Sequence, residues 1–153
     1  MSIARISFAV SGVASIIVGA MCIGFSRVEA ADDLSSARVI HMTDILSTTL
    51  PKNPKTGNGA QTVYNGPAGS ITALQVGDLA RHTHDTASEM FYVTEGSAQI
   101  TLGDTKQSIK AGDLMIVPKG MLHSIKSDSG LLKAVLITMP PRDPNDVHFE
   151  MAH

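Results

Sequence analysis

Cysteine is nearly missing from this 153-residue chain: Cys22 is the single one, and there is no tryptophan at all. A disulfide framework is therefore excluded. Runs of basic residues are missing too. With 12 lysines and arginines against 14 aspartates and glutamates, the formal net charge is −2. No stretch concentrates enough positive charge to mark a nucleic-acid or anionic-membrane footprint. The charges of the two signs are interspersed, so no charged tail stands out. Helical apolar periodicity does not persist over a useful length, and there is no internal repeat or low-complexity tract. What remains is a chain with 43% hydrophobic content, enough for one domain and one core.

The longest apolar stretch lies at the N-terminus. After "MSIAR", the run "ISFAVSGVASIIVGAMCIGF" carries no charge over residues 6–25, and "VEA" then places Val28 and Ala30 at the small-residue positions of a cleavage site. A short basic start, an apolar middle and an A-x-A-like end predict a secretory signal over 1–30, cleaved after Ala30. The alternative is an N-terminal membrane anchor, since such a run is long enough to span a bilayer. Met21 stands before Cys22 where a lipoprotein signal wants a small residue, and no twin arginine is present. Removal of Arg5, Arg27, Glu29 and Cys22 takes the 12 basic and 14 acidic residues to 10 and 13. The mature domain is then expected in the periplasm or secreted, without stable membrane association. It has no thiolate to offer, so any metal site must use histidine and carboxylate.

Residues 31–60 are polar and rich in turn formers, with "LPKNPKTGNG" the strongest loop signal, and predict a strand or loop arm. From residue 61 to 140 short apolar runs alternate with glycine turns: "SITALQV", "MFYVTEG", "SAQITLGD", "DLMIVP" and "LLKAVLITM". That spacing predicts an all-β sandwich or barrel rather than βαβ units. Residues 141–153 read as an irregular C-terminal tail.

Within this frame "RHTHDTASEMFYVTEG", residues 81–96, is unusual. His82 and His84 stand at i and i+2, which places both side chains on one face of a strand. The turn "DTAS" can bring Glu89 back toward them, and His123 follows the turn "PKG". One inward histidine is ordinarily a hydrogen-bonded core residue, and Glu89 has a surface alternative in Arg81. Three imidazoles with a carboxylate are more than packing requires. They suit one divalent first-row ion per chain, whether Mn, Fe, Ni, Cu or Zn. His41, His148 and His153 read as exposed or tail histidines, with a place for His148 near a rim as the weaker alternative. Met90, Met115, Met121 and Met139 read as core filling. Phe91 and Tyr92 should divide between the two faces of their strand.

These residues resemble the motifs of the cupins. Gly77, His82, His84, Glu89 and Gly96 match the first motif, G-x5-H-x-H-x3,4-E-x6-G, with one residue fewer after the first glycine. Gly112, Pro118, Gly120 and His123 match the second, G-x5-P-x-G-x2-H-x3-N, with Ser127 in place of the asparagine. The resemblance implies a small jelly-roll β-barrel with His82, His84, Glu89 and His123 as metal ligands at its mouth. It implies open coordination positions and commonly a homodimer. It implies an activity among dioxygenases, oxalate-degrading enzymes, sugar isomerases and epimerases, lyases and non-enzymatic binding modules. A metal-dependent oxidoreductase of dioxygenase type on a small organic substrate is the leading expectation. A periplasmic metal- or ligand-binding module is the alternative, followed by an isomerase or lyase. Cupin lyases that cleave dimethylsulfoniopropionate look to carry a tyrosine two residues after the motif glutamate, where this chain has Phe91.

Overall fold

The computed structural model describes residues 37–54 and 56–151. The expected signal and its cleavage site lie outside the described residues. Among the described residues one helix, α1 (Met42–Ser47), precedes ten strands: β1 (Gly59–Gly66), β2 (Gly69–Val76), β3 (Asp78–Thr83), β4 (Ser88–Glu95), β5 (Ser97–Leu102), β6 (Thr105–Lys110), β7 (Leu114–Val117), β8 (His123–Ser127), β9 (Leu132–Met139) and β10 (His148–Phe149). They form two five-stranded antiparallel sheets, in the order β1-β2-β9-β4-β7 and β10-β3-β8-β5-β6. The chain crosses between the sheets repeatedly, which is the wiring of a jelly roll. The expected all-β architecture is what the chain adopts. Among the described residues no helix is long and apolar enough to cross a membrane.

Alternation along the strands builds the core. On β9, Leu132, Ala134, Leu136 and Thr138 are buried while the residues between them are not. Leu74, Val76, Phe91, Val93, Met115, Val117, Leu132 and Leu136 of the first sheet meet Ala98, Ile100, Ile109 and Ile125 of the second. Phe91 is 1% exposed and Tyr92 48%, so the two aromatics do divide between the faces. Gly96 and Gly112 adopt φ of +88° and +94°, the left-handed region that the strand-ending turns require and that side chains resist.

Two segments depart from the sequence reading. The polar arm contains a helical turn, α1, held by tertiary contact rather than by its own periodicity. Leu46 and Leu50 close over Ala73 on the outer side of β2, and the Gln75 amide donates to the carbonyls of Leu46 and Thr48 at 3.0 and 2.7 Å. The supposedly irregular tail is ordered as well. Its β10 pairs with β3, setting His148 opposite Thr83 and Phe149 opposite His82. Over the rest of the outer face of the first sheet, Tyr92 stands opposite Leu114 and Met90 opposite Ile116, with Tyr92, Leu114 and Ile116 48–57% exposed.

Candidate metal centre

His82, His84, Glu89 and His123 meet at one end of the barrel, each buried, with one ligand atom apiece all within 4.8 Å of one another. Their convergence follows from the strand register. His82 on β3 is the cross-strand partner of His123, the first residue of β8. His84 lies one residue past the end of β3, and the turn 85–87 returns the chain to β4 in the opposite sheet, where Glu89 points inward. Both sheets therefore contribute.

Each imidazole is oriented by a backbone carbonyl. The Nδ1–H of His82 donates to Ala80 O at 2.8 Å, and that of His123 to Met121 O at 2.9 Å. That of His84 donates to the carbonyl of Asp146. A carbonyl only accepts, so all three neutral rings carry their proton on Nδ1 and turn the Nε2 lone pair inward. His84 Nε2 and His123 Nε2 stand 3.4 and 3.3 Å from Glu89 Oε2. None of these three buried atoms has a hydrogen-bond partner.

Electrostatics follow from the crowding. Burial raises the Glu89 carboxyl, but the flanking His123 and His84 outweigh it and bring the pKa down to about 2. Burial and then the neighbouring His123 lower His82 to about 4. Burial also opposes charge on His84, yet Glu89 beside it dominates and the pKa is raised above 6.5. With the three rings neutral, a carboxylate faces inward lone pairs with nothing to bridge them, and the raised His84 pKa is the pull of that carboxylate for a proton on Nε2. A cation resolves that repulsion. Bonds of about 2.0–2.1 Å from one ion to nitrogen and oxygen ligands place neighbouring ligand atoms about 3.0–3.4 Å apart, the spacing seen around Glu89 Oε2. The donor set fits a divalent ion.

The other sequence candidates lie elsewhere. Arg81 pairs with Glu150 at 3.1 Å, which removes the surface alternative for Glu89. His41 is exposed before α1, and His153 lies outside the described residues. His148 sits at the rim, 3.3 Å from Asp85 Oδ2. Met121 serves through its carbonyl, not its sulfur. Sequence reasoning missed three contributors: Asp146, Phe149, whose ring lies 5.6 Å from that of His82, and Thr138. Thr138 is the cross-strand partner of Glu89, and its buried hydroxyl has no hydrogen-bond partner. Inward alternation on β9 could have flagged Thr138. No motif spacing marks Asp146.

Comparison with known proteins gives three kinds of finding. A family model described as a cupin domain matches residues 70–140. An uncharacterised protein of Methanocaldococcus jannaschii is 32% identical over 81 residues, covering 52% of this chain and 59% of that one. The chain thus spans under two thirds of that relative. Among solved structures, a Klebsiella pneumoniae protein with a double-stranded β-helix domain superposes with a TM-score of 0.60 at 15% identity, covering 76% of this chain and all of that one. Streptomyces Pac13, described as a nucleoside dehydratase, superposes with a TM-score of 0.57 at 18% identity, covering 67% of this chain and 85% of that one. At such identities the likeness is one of fold.

Proposed function

Because the chain is a protein of the cupin superfamily, with a cupin domain over residues 70–140, we propose that it is a metal-dependent enzyme acting on a small oxygen-bearing organic substrate, an oxidoreductase of dioxygenase type. The observation that carries this is the set of inward-facing, unpartnered ligand atoms on His84, Glu89 and His123. A divalent ion bound there would supply Lewis acidity and, with Fe, Mn or Cu, redox capacity. The chain supplies the rest. Three imidazoles of fixed tautomer and one carboxylate set the charge, and the Thr138 hydroxyl beside Glu89 offers a donor to a bound oxygen atom. Val117, the cross-strand partner of Glu89, and Phe91 and Ile125, each two residues along the strand from Glu89 and His123, belong to the buried apolar core.

The buried polar residues other than the four and Asp146 are Asn58, Ser70, Thr72, Gln75 and Thr138, none of which titrates. A second acid or base for proton transfer is therefore not part of the described interior. That supports a binding module without turnover as the second reading. At the position of the lyase tyrosine, Phe91 points inward without a hydroxyl.

Oxygen uptake and product mass, measured on protein loaded separately with Fe, Mn, Ni, Cu and Zn, test the reading. Glu89→Gln should cut turnover more than metal occupancy. Tight one-to-one metal binding without turnover for any ion leaves the binding module, and turnover without oxygen uptake leaves the isomerase or lyase. We also propose export with cleavage after Ala30, which the intact mass of exported protein checks. A homodimer is the proposed assembly. It is supported by the edge strand β7, which exposes Leu114 and Ile116, whereas the other sheet's edge β6 exposes Thr105, Lys106, Gln107 and Ser108. Sedimentation of wild type and Ile116→Glu checks it.

A further inference from the structure

We propose that Asp146 is the positioning residue of this site, fixing the His84 ring and the turn that joins His84 to Glu89 from a segment 62 residues further along the chain. Asp146 alone is buried within residues 141–150, at 7% exposure. It acts through two groups. Its backbone carbonyl accepts the Nδ1–H of His84, which commits the Nε2 lone pair to the cluster. Its carboxylate accepts the N–H groups of Asp85 at 2.7 Å, Thr86 at 3.2 Å and Ala87 at 3.1 Å, and the Thr86 hydroxyl at 2.6 Å. Those bonds, the Thr86 hydroxyl first, hold the carboxyl down at about 2, so it stays an acceptor.

The segment is pinned on both sides of Asp146. Upstream, Asp146 N–H donates to Asp143 O at 3.1 Å and Asn145 N–H to Asp143 Oδ1 at 2.8 Å, a closed turn. Downstream, β10 pairs with β3, and Glu150 N–H donates to Arg81 O at 2.9 Å. The carboxylate thus anchors the carbonyl. An alanine at 146 keeps the carbonyl but loses the four contacts that hold it against the turn. This role rests on the metal reading only for its second measurement.

The test reads ring tautomers in metal-free protein by proton–nitrogen correlation NMR of labelled histidines. Asp146→Ala should move His84 alone from the Nδ1–H form to a mixture, leaving His82 and His123 unchanged. Affinity for Co2+ should fall about 10–100-fold, as for other outer-sphere partners of metal-bound histidine. Asp146→Asn, whose amide oxygen still accepts, should restore part of both. Unchanged His84 signals, or equal shifts in all three rings, would overturn the proposal. Should Asp146→Ala not fold, Thr86→Val removes only the 2.6 Å hydroxyl contact. It should shift His84 alone and less, and no shift overturns the proposal equally. A wild type that binds no Co2+ while Asp146→Ala still shifts His84 sinks the metal reading and leaves the positioning role standing.

Discussion

The three imidazoles are held in two different ways. His82 and His123 each lean on the carbonyl two residues upstream, Ala80 and Met121, so their orientation is set as soon as β3 and β8 form. His84 leans on Asp146, in a segment that follows the last core strand. A local backbone anchor survives any side-chain substitution. A remote one lasts only while its segment stays docked, and the docking depends on side chains. The difference separates what the barrel guarantees from what must be added to it.

The largest effect comes from the ligands themselves, where the contrast should vanish. His123→Ala and His84→Ala should each lower metal content beyond the about 10–100-fold expected of an outer-sphere change. Elemental analysis after dialysis checks it, and equal retention in His41→Ala and both variants would dissolve the cluster. Next in size is a chain ending after Arg142. Its core residues, which lie between Leu74 and Leu136, are intact, so it should keep its thermal transition and lose about 10–100-fold in metal affinity by calorimetry. Undiminished affinity would erase the distinction between local and remote anchors.

Acid sharpens the comparison. In metal-free protein His82 is lowered to about 4, so its contribution to stability is complete above pH 6.5 and lost as pH falls toward 4. His84 is raised, so its contribution is present below pH 6.5 and lost as pH rises through its folded value. Urea midpoints against pH should therefore flatten between pH 6.5 and 4 in His82→Gln, and lose part of their decline above pH 6.5 in His84→Gln. Identical profiles would refute the assigned signs. The smallest effect belongs to His148, whose pair with Asp85 is exposed. His148→Ala should cost about 0–1 kcal/mol in a denaturation curve and leave metal content unchanged.

Much of this was legible in the sequence because it is local. Alternation in "SAQITLGD" marks β5, and i, i+2 spacing with a short turn brings His82, His84 and Glu89 together. The positive-φ glycines at 96 and 112 mark strand ends. Three things were not legible, for one reason. Helix α1 depends on Gln75, the place of His84 depends on Asp146, and the order of strands in the sheets depends on pairings across tens of residues. In "RDPNDVHFE" only partners far away give Asp146 and His148–Phe149 their roles, and local pattern carries no record of them.

The two-residue ladder of β10 has a kinetic consequence. Few contacts hold that segment down compared with the interleaved core, and parts of a protein with few buried apolar contacts open far more often than the whole unfolds. An ion held by His84 could then leave when the segment lifts, with both sheets intact. Its residence time would be set by the opening of residues 143–150, and loading in the cell would not require the chain to unfold. Hydrogen exchange at Asp85, Thr86 and Ala87, the amides that Asp146 covers, would measure that opening directly.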